Sequence, residues 1–291
     1  MARRGTGRGR RRGPAVWVSV VVVLALVLGV ALIGGLTVLY NAQKRPLPWS
    51  PRCAATVQGG TVEVDPDQAH YASIIAGVGG RRNLAPRAVT IALATAYQES
   101  GIHNIDYGDR DSLGLFQQRP SQGWGTAAQV MDPYYASRQF YAVMVGVSGW
   151  QSRDIGQVAQ TVQRSGYPDA YDKHVPNARL LASSLSGETP ASFSCAVRDL
   201  PAGDPGGLAS FLKQTLPESD AVTRSGSSVT VQTGSTKHAW QAAHIAVANT
   251  ATFGVRRVSV GDRSWTPGTM GLSSWEGKAD QSAQRVVIDL S

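Results

Sequence analysis

Hydrophobic positions recur along this chain in blocks of helical period, separated by polar, glycine-rich or proline-rich breaks. In 67–78, Ala69, Ile74, Ile75 and Val78 predict a helix that Gly79 and Gly80 end. Pro86 suits a first helical turn and Gly101 a position just past the end, so the apolar stretch leading to Glu99 and Ser100 predicts a second helix. Asp132-Pro133 and Asp154 cap two more, carrying the stripes Tyr135/Phe140/Val143/Met144/Val147 and Ile155/Val158/Ala159/Val162. A further helix is expected over 169–185, interrupted near Pro176. No strand pattern shows between 67 and 187, so this part is expected to be mainly α. After residue 207 the pattern changes. Helices are expected at 208–216 and 240–252, and strands at 229–232, 255–260 and 285–290. That is a small α+β domain.

The longest apolar run lies ahead of all this. Residues 15–40 hold no charged side chain. As a helix the run would span ~39 Å at about 1.5 Å per residue, more than the ~30 Å of a bilayer's hydrocarbon core. A cleaved signal peptide is the rival, but its apolar core would be shorter and this run ends in Val38-Leu39-Tyr40. A single transmembrane helix is therefore expected. The organisation reads as a basic cytoplasmic tail (1–14), a transmembrane helix (15–40), a linker (41–66), a helical domain (67–187), a second linker (188–207) and the α+β domain (208–291). Arginines before the helix place the N-terminus in the cytoplasm and the later domains outside the cell.

Charge adds little to the functional picture. The chain of 291 residues carries a formal +8. Six arginines lie in the first fourteen residues, and the net +8 less these six leaves +2. The basicity belongs to the tail, so nucleic acid is not an expected partner. The two cysteines, Cys53 and Cys195, are expected to form a disulfide in an oxidising compartment. They carry no metal-site spacing, and neither a metal nor a cofactor is implied.

Glu99 is the most informative residue. It ends a helix that is apolar nearly all round and so is expected to be buried. Ala92, Thr95 and Ala96 on the approach to it are small and leave room. Partial desolvation and the negative end of the helix dipole both raise a carboxyl's pKa. An acid that keeps its proton near neutral pH can serve as a general acid. The plain alternative is an exposed glutamate on the last turn of a core helix.

Downstream stand Gly114-Leu115-Phe116-Gln117-Gln118, Arg119-Pro120-Ser121 and Gly123-Trp124-Gly125. With Glu99-Ser100 before it, Gly-Leu-Phe-Gln resembles the fingerprint of the lysozyme-like superfamily, in particular soluble-type lytic transglycosylases and goose-type lysozymes. The resemblance covers about residues 67–187. The fold it implies is a mainly α lysozyme-like domain, preceded here by a single transmembrane helix and followed by the small α+β domain. The last segment bears a likeness to modules appended to secreted actinobacterial proteins, in keeping with a membrane-anchored protein of that type.

The resemblance implies cleavage of the β-1,4 bond between N-acetylmuramic acid and N-acetylglucosamine in peptidoglycan. Glu99 would be the general acid and then the base that helps close a 1,6-anhydro ring. Ser100 and Gln117 match substrate-contacting positions, and Gln118, Trp124 and Tyr171 are further substrate-binding candidates. An inverting hydrolase of goose type would need a second carboxylate about 6.5–9.5 Å away. Asp109 and Asp111 are the candidates, beside Asp106, and their alternative role is to shape the turn. The family's downstream Ala-Tyr-Asn-Ala-Gly, whose tyrosine reaches the glutamate, is replaced by Val162-Gln163-Arg164-Ser165-Gly166, with Tyr167 and Tyr171 beyond. That departure leaves open a non-catalytic peptidoglycan-binding or scaffold module. The partners implied are glycan strands, the membrane through the N-terminal helix, and cell-wall or secretion-machinery proteins.

Overall fold

The computed structural model describes residues 24, 27–35, 50–164, 169–278, 280 and 282–290. The chain divides into two compact units, residues 1–50 and 51–291. Of the first unit, residues 24, 27–35 and 50 are described, and 24 and 27–35 are helical. No helix among the described residues is long and apolar enough to cross a membrane. The spanning helix expected over 15–40 is therefore corrected. With it go the single-pass membrane localisation, the membrane partner and the inside-to-outside placement of the two ends. Most of that run lies outside the described residues.

The second unit opens with a hairpin of β1 (Arg52–Val57) and β2 (Gly60–Val64). Helices α1 (Pro66–Arg81), α2 (Pro86–Ser100), α3 (Ala127–Val130), α4 (Pro133–Val145), α5 (Ile155–Gln163) and α6 (Val175–Leu185) follow. Then come β3 (Phe193–Ala196), α7 (Pro205–Thr215), β4 (Ala221–Ser225), β5 (Ser228–Gln232), α8 (Thr236–Ala248), α9 (Thr250–Phe253), β6 (Arg257–Val260), β7 (Arg263–Trp265) and β8 (Arg285–Asp289). The strands form two antiparallel sheets, ordered β2-β1-β3 and β4-β5-β8-β6-β7.

Among the described residues 46% are helical and 17% lie in strands, a mixed α/β structure that corrects the expectation of a mainly α domain behind a membrane helix. The first sheet accounts for much of the difference. β1 and β2 occupy the stretch read as a linker, and β3 the stretch read as a boundary. β1 pairs through Cys53–Val57 with β2 on one side and through Arg52–Ala55 with β3, 142 residues after Cys53 at Cys195, on the other. Strand pairing at that distance has no local signature. Cys53 and Cys195 face each other across β1 and β3 and are disulfide-bonded.

Helix α1 is central because it is narrow. A Cβ on Gly77 would meet Thr215 of α7 at 2.6 Å, and one on Gly79 would meet Tyr141 and Val89 at 2.9 Å. Those glycines let α7, α4 and α2 pack directly on its backbone. A capping box between Asp65 and Gln68 starts α1, and Gln68 Nε2 also donates to Gly101 O at 2.8 Å. The start of α1 is thus tied to the end of α2, where Glu99 sits.

Trp240 and Trp265 are buried in the core, and Trp275 is partly buried against both. Among them lies His244, fully buried. Ser192 N–H donates to its Nε2 at 3.3 Å, so its Nδ1 carries the proton and donates to Ser184 O at 2.7 Å. A second proton would have no acceptor, and burial lowers the pKa from 6.5 to about 4. The unfolded chain therefore takes up a proton first as pH falls. Stability is fully present above pH 6.5 and is lost down to about pH 4. The expected slope reaches about 1.4 kcal/mol per pH unit. Urea melts across this range check it, and His244→Gln should flatten the pH dependence while lowering stability throughout.

Candidate functional site

Helix α2 delivers Glu99 to the edge of the core. Pro86 starts it, and Gly101, in the left-handed region at φ 65°, ends it with its N–H on the carbonyls of Ala96 and Tyr97. Residues 88–96 are buried, and Tyr97 to Ser100 are half-buried. Tyr171 Oη donates to Glu99 Oε1 at 2.7 Å, and Tyr171 is 0% exposed. The Gln163 side chain also bonds the carboxyl. Burial pushes the Glu99 pKa up, and the bonds from Tyr171 and Gln163 partly offset this by favouring the anion.

The loop that follows holds this arrangement in place. Ser100 Oγ donates to Leu115 O at 2.8 Å, and Gln163 Nε2 donates to Phe116 O at 2.6 Å. Phe116 is buried and stacks on Phe140 at 4.6 Å. Gly114 has φ 76°, and a Cβ there would meet Val130 O at 2.5 Å, so only glycine fits. The Glu-Ser and Gly-Leu-Phe-Gln segments are thus physically joined, with α5 clamped to both through Gln163.

Beside them is a polar cavity of about 330 Å³. Gln117, Arg119, Trp124, Gln139, Gln163 and Arg164 are among its lining residues. Glu99 is not, and Gln163 is the side chain that reaches both. Side-chain amides, an indole face and two guanidinium groups suit a hydroxyl- and amide-bearing ligand.

The expected site residues separate in the structure. Glu99 and Tyr171 meet, while Tyr167 lies outside the described residues. Gln117 and Trp124 line the cavity, although Gln117 Nε2 turns back to Tyr107 O and Gly114 O. Ser100 spends its hydroxyl on backbone carbonyls. Gln118 is 1% exposed, donates to Ala136 O and pairs through its backbone with Leu113, so it props the loop. Asp109 is exposed beside Arg110. Asp111 accepts from Arg119 Nε at 2.7 Å and Ser121 N at 2.8 Å, and the bonds to Ser121 and Arg119 hold its pKa well below the carboxylate range. Asp111 is a staple for the turn. Among the described residues no histidine, cysteine and acid group could hold a metal.

Gln163 and Gln139 were not anticipated. The signal for Gln163 was available: it lies four residues after buried Ala159, on the inward side of α5. No protein-family model matches the chain, and no curated protein does. The likeness to lysozyme-like proteins therefore rests on the two motif segments alone.

One variant tests the electrostatics. In Tyr171→Phe the carboxylate loses a donor that favours its charged form, so the Glu99 pKa should rise further. In any assay that depends on the protonated acid, the alkaline limb of kcat/KM should move to higher pH. A move to lower pH would show that the tyrosine acts in another way.

Proposed function

We propose that Glu99 is the proton donor of a glycan-cleaving site whose substrate is the peptidoglycan strand. The observation that carries this reading is the half-buried Glu99 carboxyl, held by Tyr171 and by Gln163, a residue that also lines the polar cavity. The acid would protonate the bridging oxygen of the β-1,4 bond, and the sugar would occupy the cavity against Trp124 and the amides. Tyr171 stands where the resemblance calls for a tyrosine on the glutamate. Of the candidate second carboxylates, Asp111 is bonded through both oxygens and is not free to serve as an inverting base, while Asp106 and Asp109 are exposed. The tyrosine bonded to Glu99 favours the lytic transglycosylase outcome, in which the sugar's own C6 hydroxyl is the nucleophile, over goose-type hydrolysis.

One feature favours a second reading, a binding module without turnover. Glu99 is set back from the cavity, behind Gln163. Incubation of purified sacculi with the protein separates the readings. Soluble fragments with 1,6-anhydro ends support the transglycosylase, fragments with reducing ends the hydrolase, and retention on sacculi without soluble product the binding module.

A further inference from the structure

On the far side of β1 and β3 from the disulfide lies a second cavity, and its chemistry is different. Ala54 and Thr56 of β1 and Phe193 and Ser194 of β3 line it. Ala54 pairs with Ser194 across the strands, and Thr56 lies one step along. The cavity measures about 360 Å³ and is closed by Arg263 of β7 and by the loop carrying Leu272, Ser274 and Trp275. Trp275 is fixed there by its Nε1–H on Phe193 O at 2.9 Å.

Arg263 is the unusual member. Its Nε is buried and has no hydrogen-bond partner. Among the described residues no carboxylate lies within ion-pairing distance of its guanidinium, and Glu63 on the same sheet face is taken by Arg52 at 3.6 Å. The hydroxyl beside it is already used, since Ser194 Oγ donates to Ser273 O and accepts from Trp265 Nε1. A buried N–H without a partner is costly to a fold, and the rest of this half-buried guanidinium borders the cavity. Guanidinium presents a planar fork that a carboxylate satisfies with two parallel bonds.

We propose that this cavity is a binding site for a small carboxylate-bearing molecule, with Arg263 holding the carboxylate and Trp275 and Leu272 covering the body of the ligand. Its size falls in the range of small-molecule pockets. One cation and few free hydroxyl donors match a singly charged carboxylate better than a phosphate. The proposal is independent of Glu99.

The test is titration of the full chain, followed by calorimetry and amide NMR, with N-acetylglycine, its neutral isostere N-acetylglycinamide, and inorganic phosphate. Expected are saturable binding of N-acetylglycine, with shifts at Ser194, Arg263 and the Trp275 indole, and binding of the amide weaker by at least about tenfold. Arg263→Met, which keeps the aliphatic stem, should lose the carboxylate by a similar factor with an unchanged or higher Tm. Equal binding of acid and amide, no saturable binding of either, or tighter binding of phosphate would overturn the proposal. So would an Arg263→Met protein that melts lower and still binds N-acetylglycine, because the arginine would then be structural.

Discussion

Glu99→Gln is expected to lower the rate of glycan cleavage by about 10²–10⁴-fold, the usual contribution of a positioned general acid. The variant should still bind sacculi, because glutamine keeps the shape and can accept the bond from Tyr171 Oη. It should also be more stable than the parent at neutral pH. The sign follows from the raised pKa of Glu99. A carboxyl that is harder to ionise when folded contributes most below its unfolded value of 4.5, and that contribution is lost as pH rises through the folded value. Glutamine never ionises, so the variant's advantage should grow with pH. Loss of activity together with a gain in Tm marks a group kept for chemistry at some cost to the fold. Loss of both would mark a structural glutamate. Product release on sacculi and thermal melts at pH 4.5 and 7.5 read the two effects.

Breaking the disulfide should have the largest effect on stability. Cys53 and Cys195 are both buried and close a loop across a separation of 142 residues. The bond pins the middle strand of the first sheet to an edge strand, and between them in sequence lie α1 to α6 and the whole Glu99 site. Cross-links over long loops typically stabilise by about 2–5 kcal/mol, chiefly by restricting the unfolded chain. For a unit of this size that is on the order of 10 °C in Tm. Cys53→Ala with Cys195→Ala, or the parent protein under reductant, should show it. Equal melting of oxidised and reduced protein would mean that the sheet holds without the bond.

The helix that carries Glu99 was legible in the sequence because both of its ends are punctuated, by Pro86 and by Gly101, and because its apolar run admits no other period. The cysteine pairing was legible by count. Strands β5, β6 and β8 showed through their alternation and lie within a residue or two of their expected positions. The hairpin of β1 and β2 was missed. Arg52 to Val57 does not alternate cleanly, and the Gln58-Gly59 turn, with both residues at positive φ, was taken as linker composition. The four residues of β3 are too short to announce a strand. At the site, the sequence named Glu99 and Tyr171 but could not join them, because 72 residues and a change of chain direction separate the two. It offered Ser100 and Gln118 as ligand contacts and Asp111 as either a second carboxylate or a shaper of the turn. The structure gives each a bond to the protein itself, Ser100 and Asp111 to the loop and Gln118 to α4, so a motif can be specific for architecture as well as for substrate.

Everything proposed for Glu99 depends on its proton, which can be observed directly. With side-chain carboxyl carbons labelled, an NMR pH titration assigned by comparison with Glu99→Gln reports where this group ionises. The expected result is a midpoint clearly above 4.5, set by burial at the end of α2. A midpoint at or below 4.5 would mean that the carboxyl is already an anion where it would have to donate, and the general-acid assignment would be wrong.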